Sequence, residues 1–178
     1  MTDKAIEKLP LYNFLNMILT GGLIIAFAVF CSPDYFMGLA ENFNEVNVIF
    51  LSIAFLLFFV IAYELGYIVF RIGGVVIEPL LIMTKIVPFN KDYQRFSSLK
   101  KEYPDLEMLS REYAFARTQG TLFLIFTIAM PFYNNWQTCW RWMLLMGFCS
   151  LLFYATMQKH SKKITNIMAP LKPVDKKK

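Results

Sequence analysis

Glu64, Arg71 and Glu78 stand seven residues apart in the apolar run "AYELGYIVFRIGGVVIEPLL". A carboxylate and a guanidinium withdrawn from water attract strongly and form short, charge-assisted hydrogen bonds. Seven residues is two helical turns, so the three charges share one face of a helix but stand too far apart to touch one another. Their partners must come from another helix or another subunit. Arg111 and Arg117 supply the matching charges further along the chain, with Arg117 the favoured partner of Glu64. The expectation is an interhelical or intersubunit network of Glu64, Arg71, Glu78, Arg111 and Arg117. The alternative is that Glu64 snorkels, while Arg71 and Arg117 simply stop their helices at the headgroups.

Other chemistry has little to build on. Glu64 is the only acid inside an apolar stretch, so the paired carboxylates of an intramembrane protease are missing. Ser52, Thr121 and Ser150 have no histidine within plausible reach, because the single His160 lies in a basic tail. There is no P-loop, G-x-G-x-x-G or HExxH. Cys31, Cys139 and Cys149 make no metal-ligand spacing. The sequence points away from an enzyme, and no cofactor or metal is expected.

The elements that position these charges follow from composition. Of 178 residues, 57% are hydrophobic and 17% charged, against a quarter charged in ordinary soluble domains. The apolar residues fall in blocks. Leu11–Cys31 carries no charge, and its roughly 32 Å as a helix crosses a hydrocarbon core of about 30 Å. Val48–Phe70 carries only Glu64. Two shorter blocks follow, 118–133 and Trp142–Met157, both near the lower length limit and open to reading as a re-entrant pair. The "AFA" at Ala26–Ala28 resembles a signal-peptide cleavage site, but the charge-balanced "MTDKAIEK" before it argues for an uncleaved span. The expected fold is all-α, one membrane domain. It is a four-span transmembrane helical bundle whose second and third helices extend into a small cytoplasmic helical protrusion, residues 71–117.

Basic residues set the orientation. Ser32–Asn47 holds no Lys or Arg, whereas Arg71–Arg117 holds eight and the tail after Met157 holds seven. The positive-inside rule then puts both termini and the middle segment in the cytoplasm. Trp136, Trp140 and Trp142 cluster at the opposite surface as an interfacial belt. Cys31 and Cys139 fall near that surface too, where a disulfide is permitted; the alternative is two unpaired thiols.

Within the middle segment, Pro104 and the acids after it start a helix, and Glu107 and Arg111 form an i,i+4 pair. Nothing but Gly120 interrupts that helix, so the third span should be its outer half. Gly73-Gly74 is expected to bend the second span, Glu78-Pro79 to restart a short helix, and Lys91–Tyr103 to form another. In the tail, residues 158–178, Ile164, Ile167, Met168 and Leu171 oppose Lys162 and Lys163. That is the pattern of a helix lying in an anionic membrane interface, or of a solvated anchor. No aromatics interleave with the lysines, so direct nucleic-acid binding is not expected.

"YELGYIVFRIGGVVIEPLL" and "LSREYAFARTQ" resemble segments of small tetra-spanning bacterial membrane proteins of anti-phage systems, nearest the membrane subunit of the Kiwa system. The resemblance covers Tyr63–Leu81 and Leu109–Gln119, about a sixth of the chain. It implies a homo-oligomer in the inner membrane that senses envelope disturbance and binds a cytoplasmic protein partner. Residues and resemblance together point to a non-enzymatic sensor or scaffold. The competing reading is an oligomeric pore, with Glu64 around a conducting path. Asn13, Asn16 and Thr20 give the first span a polar stripe along its inner half only.

Topology is directly measurable. A reporter fused after Lys178 should be active only if it works in the cytoplasm, and one inserted near Asn42 only if it works outside. A cytoplasmic Asn42 would overturn the arrangement of all four spans.

Overall fold

The structure is a computed structural model that describes residues 3–41, 48–88, 96, 98–99, 103–133 and 136–169. Asn42, Lys100, Lys101, most of the expected helix Lys91–Tyr103, and the tail beyond Ala169 lie outside the described residues, as does the side chain of Trp136. Every described element is a helix. In chain order they are α1 (Asp3–Cys31), α2 (Pro33–Glu41), α3 (Val48–Ile72), a π-helical turn (Gly73–Ile77), α4 (Glu78–Met83), α5 (Pro104–Tyr133) and α6 (Trp136–Met168).

Three stretches are long and apolar enough to cross a membrane: Leu11–Cys31, Leu51–Met83 and Cys139–Met168. The apolar half of α5, 118–133, is shorter than the roughly 20 residues a spanning helix needs by itself. It continues without a break from the polar half that begins at Pro104. α2 was not foreseen, although Pro33 at its start and Asp34 in its first turn are ordinary helix-start signals.

Lipid is as apolar as leucine, so helices in a bilayer associate through close van der Waals packing and polar contacts. α1 and α3 do this at Gly21 of α1 and at Ala62 and Gly66, four apart on α3. A Cβ placed on Gly21 would lie 1.7 Å from the Ala62 carbonyl oxygen, and one on Gly66 1.9 Å from the Met17 carbonyl oxygen. Only hydrogen at these two positions lets the backbones touch. Ala62 itself is wholly buried.

α5 then joins this pair to α6. Val69, Leu122 and Phe126 form a core between the helices, with Ile24, Phe27 and Met146 packed around them. The Phe27 and Phe126 rings stack at 4.1 Å. A second core, Val87, Ala116 and Met157, is walled by Leu81, Tyr113, Phe153 and Tyr154. Gly120 seats the Tyr154 ring, whose carbon atoms would lie 2.8 Å from an added Cβ. Val87 reaches its core because the turn after α4 passes through Lys85 in the left-handed region (φ 58°), with the Ile86 N–H donating to the Leu81 carbonyl oxygen.

Two expectations change. Gly73-Gly74 opens a π turn, and the short helix expected at Glu78-Pro79 is α4, but the backbone stays helical throughout, so that α3 runs through the π turn into α4. The basic tail up to Met168 is no separate surface helix but the last turns of α6. Its Ser161 and Met168 are buried, while Lys162 and Lys163 are exposed. Ser161 Oγ donates to the Pro88 carbonyl oxygen, and Gln158 Nε2 donates to that of Ile86 at 2.7 Å. These contacts hold the tail against the end of α4 and fix its direction.

The adjacent glycines of α1 provide a controlled test. Gly21→Ala should destabilise the detergent-solubilised protein by about 1–3 kcal/mol, because the backbones must separate. Gly22→Ala should be neutral or slightly stabilising, since an added Cβ there meets nothing within 4 Å. Thermal unfolding of the two variants checks this. Equal effects would show that α1 and α3 are not in backbone contact.

Candidate functional site

Glu64, Arg71 and Glu78 share a face only while the helix keeps 3.6 residues per turn. Between Gly73 and Ile77 the backbone widens instead, and the Glu78 N–H bonds to the Gly73 carbonyl oxygen five residues back. Such a turn takes in one extra residue, which rotates everything after it by about 100°. Glu64 and Arg71 therefore stay on the outward face of α3, both exposed. Glu78 swings inward to α5.

There it meets Arg117. Arg117 Nη1 donates to Glu78 Oε2, and the Tyr113 hydroxyl donates to Glu78 Oε1 at 2.7 Å. The two charged side chains are only 12% and 14% exposed. The guanidinium carbon lies 4.9 Å from the centre of the Phe70 ring, a cation–π contact. The arginine side chain lies beside Gly73 and Gly74. An added Cβ would meet it only in ordinary contact, 3.4 Å from Arg117 Cγ at Gly73 and 3.5 Å from Arg117 Cζ at Gly74, whereas at Gly73 it would crowd Thr121 Oγ1 at 3.0 Å. Arg117 Nε is buried with no hydrogen-bond partner among the described residues.

A second polar layer lies beside this pair. Gln119 Nε2 donates to Asn16 Oδ1 at 3.2 Å and to Thr20 Oγ1 at 3.0 Å. The Thr20 hydroxyl donates in turn to the Asn16 carbonyl oxygen. All three residues are buried. On the other side of α5, Ser150 Oγ donates to the Gly120 carbonyl oxygen at 2.9 Å. The polar stripe of the first span is therefore an interhelical clamp at Asn16 and Thr20, while Asn13 is exposed.

The five charges do not form one network within the chain. Arg111 pairs with Glu107 in the i,i+4 manner expected. Arg71 Nε donates to the Tyr67 hydroxyl at 2.7 Å, and its guanidinium lies over that ring. Glu64 has no ion pair or hydrogen bond among the described residues, and Arg117, its favoured partner, belongs to Glu78. His160 Nδ1 lies 3.2 Å from Glu112 Oε2, an α5–α6 contact the sequence did not suggest. Tyr113 and Gln119 were also missed. Tyr113 stands four residues before Arg117, hence on the same face, which was the available signal.

At the far end, Trp140 and Trp142 are both exposed, with Arg141 over the Trp140 ring and Phe30 edge-on to Trp142. That suits side chains at a membrane surface. None of the three cysteines is in a disulfide: Cys139 is buried, and Cys31 and Cys149 are half-buried. Among the described residues no group of three or more His, Cys, Asp or Glu is placed to hold a metal. Comparison with family models, curated proteins and solved structures finds no match.

Removing one member of a buried ion pair strands the other charge. Glu78→Ala and Arg117→Ala should each cost about 3–5 kcal/mol of stability in detergent, and the double variant should recover part of the loss. Tyr113→Phe should cost about 1 kcal/mol. Strict additivity of the two alanine substitutions in denaturant unfolding would mean the sites are uncoupled.

Proposed function

We propose that the protein is a non-enzymatic sensor or scaffold of the bacterial inner membrane. In this reading α1, α3, the apolar half of α5 and α6 are four spans, with both termini in the cytoplasm. Residues 71–117, which include α4 and the polar half of α5, form the cytoplasmic protrusion, which docks a soluble effector protein, and the last turns of α6 pack against it. The positive-inside count and the resemblance to membrane subunits of anti-phage systems support this, and defence against phage is the proposed setting.

The observation that carries the reading is the Glu78–Arg117 pair. Arg117 immediately precedes the apolar half of α5, so the pair ties the inner end of the second span to the root of the protrusion. A π turn is a local irregularity in an otherwise regular helix and is frequent at functional sites. A shift of α3 relative to α5 would strain this one well-buried contact and move the protrusion. Arg111 with Glu107 braces the same region.

The pore reading is kept for one reason: Glu64 faces outward in mid-span, where oligomerisation would line it along a path. Within a single chain the polar layer of Asn16, Thr20 and Gln119 leads into the apolar core of Val69, Leu122 and Phe126. That arrangement favours a sealed bundle.

The test has two arms. Cells carrying the gene with its neighbouring genes should resist phage, and Lys100→Glu with Lys101→Glu should abolish resistance while the protein still inserts in the membrane. Purified protein in dye-loaded vesicles should leak no more than empty vesicles. Full resistance without any soluble partner would overturn docking, and dye release that Glu64→Gln alters would favour the pore.

A further inference from the structure

The geometry points to a proton-operated latch between α5 and α6, made by His160 and Glu112. The inference rests on the sensor reading and names its stimulus, acidification of the cytoplasm when the membrane barrier is breached. His160 is the only histidine of the chain, and histidine is the side chain that ordinarily changes charge between pH 5 and 8. Its side chain is 13% exposed, and Nδ1 lies 3.2 Å from Glu112 Oε2. Nδ1 is buried, yet it has no hydrogen-bond partner among the described residues. An uncharged imidazole so placed holds the carboxylate weakly. A protonated one turns the same contact into an ion pair. Glu112 is 37% exposed, so water reaches the pair and a proton can enter and leave.

The neighbouring groups leave this contact to the two of them. On α5, Arg111 is paired with Glu107, and Tyr113 donates to Glu78. From α1, Tyr12 lies within electrostatic reach of Glu112 and Arg111. Lys85 after α4 is exposed, as are Lys159, Lys162 and Lys163 on α6 itself. Among the described residues Glu112 is the acid placed against the imidazole.

Position gives the contact its reach. On either side of His160, Gln158 and Ser161 hold the turn after α4 through the carbonyl oxygens of Ile86 and Pro88. Glu112 stands beside Tyr113, which holds Glu78 at the end of the π turn. The latch thus closes a triangle of α4, α5 and α6. Closing it draws the end of α6 onto α5 and carries the turn after α4 along. The closed arrangement is the one that binds the proton, so closure grows as pH falls.

The experiment uses full-length protein in lipid vesicles, with Cys31, Cys139 and Cys149 replaced by alanine. Spin labels at Met108→Cys and Lys163→Cys, both exposed positions, report the ratio of closed to open ends by pulsed electron resonance. Lowering pH from 8 to 6 should raise that ratio about twofold to fivefold, the range of a partly exposed ion pair. His160→Gln and Glu112→Gln should each abolish the response, and His160→Lys should be closed at both pH values. A ratio indifferent to pH, or a response that survives His160→Gln or Glu112→Gln, would overturn the latch. In cells, His160→Gln should lose phage resistance; full resistance would overturn acidification as the stimulus. No resistance from the unaltered protein would overturn the sensor reading alone, because the vesicle result stands without it.

Discussion

Glu78 and Arg117 can pair only because the helix carrying the glutamate is out of register with itself. A regular α-helix would keep Glu78 on the face of Glu64 and Arg71, away from α5. The π turn at Gly73–Ile77 rotates it inward, and the arginine side chain lies beside Gly73 and Gly74 of that turn. Each part requires the other. The turn without the pair would bury a lone carboxylate, and the pair without the turn has no geometry. Burying two charges is costly and is offset only by good hydrogen bonding. Tyr113 supplies a further donor to the carboxylate, and the Phe70 face accepts the cation.

The rest of the bundle is held by contacts that suit a solvent offering no hydrophobic drive between helices. Backbone touches backbone at Gly21 and Gly66, and Gln119 clamps Asn16 and Thr20 of α1. α5 is the common element: it meets α1 through Gln119, the π turn through Arg117, and α6 through Gly120. These residues lie within one turn of the helix, 117–120, so a displacement of α5 there would be felt by all its neighbours. The outward face of α3 has no such tie, which is why Glu64 stands apart from the charges it resembles in the sequence.

Much was legible without coordinates because it depends on composition and local periodicity alone. Uninterrupted apolar length marks α1 and α3, and a proline followed by acids marks the start of α5. The Glu107–Arg111 pair follows from helical spacing by itself. What spacing could not reveal is any place where the backbone leaves 3.6 residues per turn. Gly73-Gly74 reads equally well as a bend or a π turn, and the choice between them moves Glu78 across the helix. Partner identity is likewise a tertiary fact: Arg117 was a candidate for Glu64 by depth, but which carboxylate it meets depends on that rotation. The tail shows the same limit. Its apolar spacing at Ile164 and Met168 describes a helix with a buried face, and only the packing of α6 shows that protein covers Met168.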